Sequence, residues 1–279
     1  MMISKEECFA ILDKHIKSDV SKFWTETLSK TDIHRLTTQF MPFSFEDKLK
    51  QYYFTSQAVC FGNALEEIFH VFLEINGAVF LDRHYVAQHD CDQLFTYLDK
   101  VVLIEQKVRD DHDSSKKVGQ ITNFKAKKDA LQQDCKNFYC SSWFIDDGLI
   151  KNRAYYSSEL TDPYELCYGS EIESFLKIIF NDDRAKGFVD TLGNYLDEYH
   201  QYASNNILDN IYIDYTVLKP KALYDLLSAK RRQNDIAHFF FQDNIPYEDM
   251  LKTYKAKRQT GYTPEIIILL EERLNGKTV

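Results

Sequence analysis

The spacing of apolar residues changes at Asn76-Gly77, and this change constrains the fold more than any other feature of the 279-residue chain. From about Gln57 to Ile75, apolar residues recur every three or four positions, which predicts one buried face of a long helix. After Asn76-Gly77 the apolar residues come in short extended runs, which are typical of strands. A long helix that leads directly into several strands indicates an α/β fold.

Further elements follow from the same patterns. Segments predicted to be extended are Ala78 to Leu81, Asp92 to Tyr97, Val101 to Lys107, Phe138 to Ile145, a return from Asn152 to Tyr156, and Ile211 to Val217. A basic helix is predicted from about Lys116 to Gln133, and mostly helices follow from residue 169. This order predicts a central mixed β-sheet flanked by helices, with helical additions at both ends.

The sequence predicts a single domain over residues 1–279, because no repeat, low-complexity tract or Pro/Gly-rich linker divides it. Hydrophobic residues make up 44% and charged residues 28%, which excludes a disordered or fibrous chain. Within the domain, we expect a helical preamble over residues 1–55, a catalytic core over 56–160, and a mostly helical part over 161–279.

Nothing in the sequence indicates a membrane or secreted protein. The longest aliphatic run, Ile266 to Leu270, is far shorter than the ~18 apolar residues that cross a bilayer. The first residues lack the apolar region of a signal peptide. No two of the six cysteines have the spacing of a zinc knuckle, so we expect reduced, buried thiols. The sequence therefore predicts a soluble, cytoplasmic protein.

Charged residues lie at the ends of two neighbouring predicted strands. Residues two apart in a strand point to the same face, so Glu105 and Lys107 share a face. A turn near residues 98–100 would bring Asp92 opposite Glu105 or Lys107. Asp90 would lie on the same face, one pleat further along. Two carboxylates and an ammonium group are thus expected to converge at one end of a hairpin.

This combination of charges has a specific chemistry. Adjacent carboxylates repel each other, and a desolvated pair is tolerated best with a cation between them. Mg²⁺ prefers hard oxygen ligands and can bind through one or two carboxylates together with a substrate phosphate. A bound metal ion lowers the pKa of its water, and a neighbouring lysine can orient that water. The residues therefore indicate phosphodiester hydrolysis.

The arrangement of these residues is similar to a known motif. Asp92 is followed after twelve residues by Glu105-Gln106-Lys107, with a helix carrying Glu66 before it and a basic helix carrying Gln120 after it. This pattern resembles the PD-(D/E)XK nuclease superfamily and looks most like a type II restriction endonuclease. The resemblance implies Asp92 and Glu105 as Mg²⁺ ligands and Lys107 as the water-positioning residue. It also implies Glu66 and Gln120 as further catalytic-site residues.

The resemblance covers about residues 57–131 and implies more than a set of catalytic residues. It implies a restriction endonuclease-like core and a magnesium-dependent enzyme that cleaves double-stranded DNA at a short specific sequence. A homodimer is expected, because symmetric targets favour symmetric readers, and a cognate DNA methyltransferase is implied as a partner. Cys91 stands where the name of the motif has proline, which leaves open whether Asp90 or Asp92 is the ligand.

Two basic segments favour DNA binding although the net charge of the chain is −9. Residues 107–136 contain eight basic and five acidic side chains, and residues 219–258 contain nine and five. Such local excesses can hold phosphates on an acidic protein. The residues predicted to bind DNA are Arg109, Lys116 and Lys117 in the first segment, and Arg231, Arg232, Gln233 and Asn234 in the second. Arg, Gln and Asn can also read base edges through paired hydrogen bonds.

Several residues have simpler interpretations. Glu105 and Lys107 could form an ion pair across one face at the end of an exposed strand. Glu66 could be a flanking surface carboxylate and Gln120 a solvated helix residue. Each basic segment could likewise be a solvated face.

Other functions are possible for the same chain. His70 and His89-Asp90 would suit an HD-type metal phosphohydrolase, but that fold needs these residues on helices and the pattern here predicts extended segments. A repair or junction endonuclease would use the same PD-(D/E)XK core. A catalytically idle DNA-binding or assembly protein would keep the fold without the chemistry.

Overall fold

In a computed structural model of the chain, the described residues are 1–16, 20–30, 45–81, 86, 90–200, 216, 218–228 and 247–275. Helices and strands alternate through the middle of the chain, and helices predominate at both ends. The elements are α1 (Lys5–His15), α2 (Val20–Lys30), α3 (Phe45–Ile75), β1 (Val79–Phe80), β2 (Gln93–Tyr97), β3 (Lys100–Lys107), α4 (Ser114–Asp134), β4 (Phe138–Phe144), α5 (Arg153–Glu159), β5 (Leu166–Tyr168), α6 (Glu171–Phe180), α7 (Phe188–His200), α8 (Pro220–Leu227), and two further helices, Tyr247–Lys255 and Thr263–Leu274.

The strands form one five-stranded mixed sheet in the order β1-β2-β3-β4-β5. β1, β2 and β3 pair antiparallel, whereas β3 with β4 and β4 with β5 pair parallel. Parallel neighbours require a crossover connection, and α4 and α5 lie in the two connections. The predicted α/β class, with a central mixed sheet flanked by helices, is confirmed.

Helices cover both faces of the sheet around β3. Val102 and Ile104 belong to a buried cluster built with α1, α3, α6 and α7. Leu103 points the other way and joins a cluster built with α4 and α5. Because both faces are buried, the strand reads as a continuous apolar run rather than as an alternation of apolar and polar residues. This packing fixes the position of the charged residues at the end of β3.

The chain groups into two compact units, which we call unit 1 (Met1–Ile16 and Val59–Ala203) and unit 2 (Lys17–Ala58 and Ser204–Val279). Unit 1 contains the sheet, and the described part of unit 2 has a helical core of its own. The prediction of one domain over residues 1–279 stays a prediction. The predicted preamble divides between the units, since α1 belongs to unit 1 and α2 to unit 2, and the part over 161–279 divides at about residue 203.

One predicted strand is wrong. The segment from Asn152 to Tyr156 was expected to be extended, but it leads into α5, and the strand beside β4 is β5, which the sequence does not predict. The main-chain N–H of Asn152 donates to Asp110 Oδ2 at 2.6 Å, and its side-chain amide donates to Oδ1 at 2.8 Å. These bonds hold the segment at the end of the sheet, where the parallel crossover begins. The strand predicted from Ile211 to Val217 lies, apart from Thr216, outside the described residues.

Two expectations concern membranes and cysteines. Among the helices that the structure describes, none is both long enough and apolar enough to span a bilayer. No disulfide joins any of the six cysteines, all of which lie in the described part of the chain. Four are buried, and Cys60 and Cys135 are half-buried.

Candidate active site

The two strands that carry the predicted site form a hairpin with a two-residue turn. Tyr97 of β2 lies opposite Lys100 of β3, so the turn consists of Leu98 and Asp99. Leu98 adopts a left-handed φ of 54° there. An even number of turn residues puts the even-numbered residues of β2 and the odd-numbered residues of β3 on the same face. The sequence predicts the same arrangement, with Asp92 on the face that carries Glu105 and Lys107.

The other end of the hairpin brings the acidic residues together. Gln93 lies opposite Ile104, so one further step along the register places Asp92 opposite Glu105. The main-chain N–H of Gln106 donates to Asp92 Oδ2 at 2.8 Å. We call this region, Asp92 with Glu105–Lys107, the open end of the hairpin, and residues Tyr97–Lys100 its turn end.

Lys107 binds the carboxylate of Asp92. Its Nζ lies 2.8 Å from Asp92 Oδ2 and 2.9 Å from the main-chain oxygen of Gln106. The side chain of Lys107 is 35% exposed, and that of Asp92 is 19% exposed. The ammonium group is therefore held in place yet remains accessible from solvent.

Glu105 binds a lysine that the sequence analysis did not single out. Lys127 of α4 places its Nζ 2.6 Å from Glu105 Oε1 and 2.6 Å from the main-chain oxygen of Asp90. Both side chains of this ion pair are buried, at 6% and 10% exposure. Glu105 is thus paired across to α4 rather than along its own strand, and β3 is a central strand. These contacts are not those of an ion pair at the end of an exposed strand.

The charges at the open end perturb one another. Burial and, next, the negative charge of Asp92 raise the pKa of Glu105, against the opposing effect of Lys127 and Lys107. Burial alone would lower the pKa of Lys107, but Asp92, Glu105 and Glu66 outweigh it and raise that pKa. The cluster therefore holds like charges close together in a site of low polarity.

The two candidate aspartates have different surroundings. Asp90 is exposed, and it contacts the cluster through its main-chain oxygen, which accepts a hydrogen bond from Lys127. Asp92 is half-buried and meets it through its carboxylate, which accepts from Lys107 and from the N–H of Gln106. Asp92, rather than Asp90, is therefore the aspartate whose carboxylate joins the cluster.

Glu66 of α3 lies near the same end of the sheet. It is half-buried, its charge contributes to the raised pKa of Lys107, and its main-chain oxygen accepts from the buried amide of Gln93 at 2.9 Å. The side-chain amide of Gln106 is also buried, and none of its polar atoms has a hydrogen-bond partner among the described residues. Such unsatisfied groups cost stability and are rare in native proteins. Glu66 is half-buried beside these groups and influences Lys107, so its position differs from that of a flanking surface carboxylate.

Gln120 lies in a hydrogen-bonded chain of side chains beside the loop that follows β3. The hydroxyl of Tyr156, which is fully buried, donates to Gln120 Oε1 at 3.1 Å and lies 2.9 Å from His112 Nδ1. Burial lowers the pKa of His112. Gln120 is therefore half-buried and bonded rather than solvated, but its partner is Tyr156 and not Asp92 or Glu105.

The predicted DNA-binding residues of the first basic segment follow the open end along the chain. Arg109 is exposed, with Nε 3.9 Å from Asp146 Oδ2. Lys116 and Lys117 lie in the first turn of α4, which Asp113 caps. Lys116 is exposed, whereas Lys117 Nζ lies 4.6 Å above the ring of Tyr155. Arg109 and Lys116 are thus placed to meet a solvent-side ligand.

Other predicted residues lie outside the described part of the chain. These are Arg231, Arg232, Gln233 and Asn234, whose part in base recognition stays a prediction, and His89. Asp90 is not helical. An HD-type metal site needs a helix at this position, so the structure gives that alternative no support.

The oxygen atoms at the open end suit a magnesium ion. Within the described residues, no three His, Cys, Asp or Glu side chains form a group that could hold a metal ion by themselves. Each lysine ammonium, however, lies between a carboxylate oxygen and a main-chain oxygen, and so stands where a cation is favoured. Mg²⁺ often takes only one or two carboxylates and completes its shell with water and substrate phosphate. The residues present fit that requirement.

Lys127 is the residue that sequence reasoning missed, although a signal was present. Gln120, Phe124, Lys127 and Leu131 follow one another at helical spacing, so Lys127 occupies a position of the stripe that faces the sheet. A lysine is almost never fully buried unless it is paired. A charged residue in such a stripe thus predicts a buried partner, although not its identity.

Comparison with known proteins does not assign this chain to a family. No family model matches it, and no relative among curated proteins does. The residues and geometry of unit 1 are therefore the basis for assigning an activity.

Proposed function

We propose that the chain is a magnesium-dependent endonuclease of the PD-(D/E)XK type, which cleaves double-stranded DNA at a short specific sequence. The observation that carries the proposal is the crowding of Asp92, Glu105 and Lys107 at the open end of the hairpin. Burial and the neighbouring charge of Asp92 together raise the pKa of Glu105, and an ionised carboxylate in such surroundings reduces stability. Perturbed groups of this kind cluster at functional sites.

The order of elements supports the same proposal. The helix that carries Glu66 precedes the hairpin, and α4 follows Glu105-Gln106-Lys107 directly. β3 and β4 run parallel, so their carboxyl ends meet at one edge of the sheet. In open α/β sheets, ligands commonly bind outside this edge.

Each residue of the open end has a defined part in the proposed reaction. Asp92 and Glu105 would hold a magnesium ion through carboxylate oxygens, and a metal ion held there would supply a water molecule of lowered pKa and positive charge opposite the scissile phosphate. Lys107, fixed by Asp92 and partly exposed, orients the attacking water toward the phosphorus atom. Glu66 adds negative charge near Lys107, and Gln120 supports the loop after β3 through Tyr156.

The proposed substrate is duplex DNA. Arg109, Lys116 and Lys117 contact phosphates on the solvent side of this edge. Arg231 and Arg232, with Gln233 and Asn234, read bases from the second basic segment. The part over residues 161–279 would then serve in recognition and dimerisation.

The proposal extends to partners. A symmetric target favours a homodimer, in which two identical sites related by a two-fold axis address both strands. A cognate DNA methyltransferase belongs to the same proposal, because the resemblance to type II restriction endonucleases implies it. The cytoplasmic location expected from the sequence is kept as part of the proposal.

Digestion of plasmid DNA by the purified chain tests the proposal. Discrete bands in Mg²⁺, with ends that map to one short sequence, are the expected result. Cutting only at branched or damaged DNA would instead indicate a repair or junction endonuclease. DNA binding without cutting in Mg²⁺ or Mn²⁺ would indicate a catalytically idle protein.

The metal requirement is tested in the same assay. Mg²⁺ or Mn²⁺ should support cleavage, and Ca²⁺ should permit binding with little turnover, because the ligands are carboxylate oxygens. Full activity in excess EDTA would contradict the role given to Asp92 and Glu105.

A further inference from the structure

Two lysines at the open end have matching surroundings but different accessibility. Lys107 Nζ lies between Asp92 Oδ2 and the main-chain oxygen of Gln106. Lys127 Nζ lies between Glu105 Oε1 and the main-chain oxygen of Asp90. The side chain of Lys107 is 35% exposed and that of Lys127 is 6% exposed. Lys107 can reach a substrate, whereas Lys127 is too buried to touch one.

The contacts of Lys127 restrict both acidic strands. Its ammonium ties Glu105, near the end of β3, to the main chain at Asp90, two residues before Asp92. A glutamate side chain has several rotamers, and a charge-assisted hydrogen bond of 2.6 Å selects one of them. The distance between the two carboxylates therefore depends on Lys127.

Lys127 also adds a positive charge to the place where a divalent cation would bind. Its charge opposes that of Asp92 in the effect on Glu105. A nearby ammonium repels a second cation, and this repulsion is strong in a buried site because water screens it little. A site that contains Lys127 should therefore bind free metal ions weakly, until a DNA phosphate adds its negative charge.

We propose that Lys127 is a positioning residue that fixes Glu105 and keeps the affinity of the open end for free divalent metal low. This inference rests on the proposed function, since it assumes that Asp92 and Glu105 hold a metal ion. It predicts two effects of opposite sign when Lys127 loses its charge. Metal should bind more tightly, because the repulsion is gone, and DNA should be cut more slowly, because Glu105 is no longer fixed.

A purely structural role for Lys127 predicts a different pattern. If the ion pair only stabilises unit 1, its loss should lower the melting temperature and leave the metal affinity of the folded protein unchanged. Lys125 provides a matched control on the same helix. It pairs with Glu159 at 2.6 Å, and both side chains are partly exposed.

The experiment measures Mn²⁺ binding to the full chain by calorimetry without DNA, for wild type, Lys127→Gln, Lys127→Arg and Lys125→Gln. Lys127→Gln should bind Mn²⁺ about tenfold more tightly than wild type. Lys127→Arg keeps the charge and should bind like wild type, as should Lys125→Gln. At saturating Mn²⁺, Lys127→Gln should cut plasmid at least about tenfold more slowly, and Lys127→Arg should recover part of the rate.

Each outcome decides the inference. Unchanged or weaker Mn²⁺ binding by folded Lys127→Gln would overturn it, as would an absence of Mn²⁺ binding by both wild type and Lys127→Gln. If Lys127→Gln does not fold, Lys127→Arg decides, because a clear change in its Mn²⁺ affinity would show that charge at this position does not set the affinity. Wild-type protein that binds Mn²⁺ but never cuts DNA would contradict the proposed function. The Mn²⁺ affinities of the Lys127 variants would still test the inference about Lys127.

Discussion

The β2–β3 hairpin has a buried lysine near each end, and the two lysines have different partners. At the turn end, Lys100 donates to the main-chain oxygens of residues 178 and 179, near the end of α6, at 2.6 and 2.8 Å. At the open end, Lys127 donates to Glu105, which lies beside a second carboxylate, that of Asp92. Both lysines are less than 10% exposed. The same residue type is thus buried against carbonyl dipoles at one end and against full negative charges at the other.

This difference shows what marks a candidate site. The last carbonyl groups of a helix lack partners within the helix and carry partial negative charge, so one ammonium completes them. The burial of Lys100 at the turn end is therefore explained by its contribution to stability alone. At the open end, burial and, next, repulsion by Asp92 raise the pKa of Glu105 even with two lysines present. A buried charge beside a like charge, rather than a buried charge alone, indicates a functional site.

The sharpest test of the comparison is to remove one charge at a time from the open end. Glu105→Gln, Asp92→Asn and Lys107→Ala should each lower plasmid cleavage by roughly a thousandfold or more, because metal binding and water positioning act as a unit. DNA binding in gel shifts should persist. Cleavage rates and melting temperatures should be measured on the same preparations.

Asp90→Asn is the matched control for this series. Asp90 is exposed and meets the cluster through its main chain, so its variant should cut much faster than Asp92→Asn. An inactive Asp90→Asn beside an active Asp92→Asn would move the ligand by two residues. Robust cleavage by Glu105→Gln would remove the nuclease assignment.

The turn end should respond to substitution in stability only. Lys100→Met leaves buried acceptors at the end of α6 without a donor, and should lower the free energy of unfolding by about 2–3 kcal/mol. Trp24 lies in unit 2 and Trp143 in unit 1, so a Trp24→Phe background lets fluorescence follow unit 1 alone in urea. A loss of cleavage per folded molecule as large as that of Glu105→Gln would contradict the division between the two ends.

The features that could be predicted from the sequence are local ones. The parity that brings Asp92 opposite Glu105 depends on a short turn and on alternation within two adjacent strands. The helices that carry Glu66 and Gln120 follow from apolar spacing alone. Such signals lie within about twenty residues and do not depend on the rest of the fold.

The features that could not be predicted depend on contacts distant in the chain. Lys127 pairs with Glu105 across a crossover connection, and β5 has only three residues, too few for an alternating pattern. The partner of Gln120 is Tyr156, in a segment whose sequence pattern predicts a strand but which forms α5. The sequence shows that a charged stripe residue needs a partner, but only the packing of α4 on the sheet chooses it.

A smaller effect is expected from the basic residues that follow the open end. If Lys116 contacts a phosphate, Lys116→Ala should weaken binding to all sequences equally and reduce the slope of log affinity against log salt by about 0.9. Lys177, exposed on α6 and paired with Asp183, is the matched control and should leave the slope unchanged. By contrast, Arg231→Ala should cost about 1–3 kcal/mol of discrimination between sequences if Arg231 reads a base. Equal slopes for Lys116→Ala and Lys177→Ala would show that Lys116 does not contact a phosphate.

The smallest effect is the response of each end to acid. At the turn end, hydrogen bonds from Arg184 lower the pKa of Asp182 from 3.8 to about 2, and the Arg184 guanidinium lies over the ring of Tyr97. A lowered pKa stabilises the fold above the ordinary value, and this contribution is lost as the pH falls from about 4 to about 2. The stability of wild type relative to Asp182→Asn should therefore fall as the pH falls through that range.

At the open end the sign reverses, because the pKa of Glu105 is raised above its ordinary value of 4.5. The folded state takes up a proton there before the unfolded state does, so wild type should gain stability relative to Glu105→Gln as the pH falls from neutral toward 4.5. Melting temperatures of the three proteins, measured in low salt from pH 7 to pH 2.5, test both signs with one set of samples. Opposite drifts of the two differences from wild type are expected. Drifts of the same sign would contradict the raised pKa of Glu105 or the lowered pKa of Asp182, and the contrast between the two ends would fail.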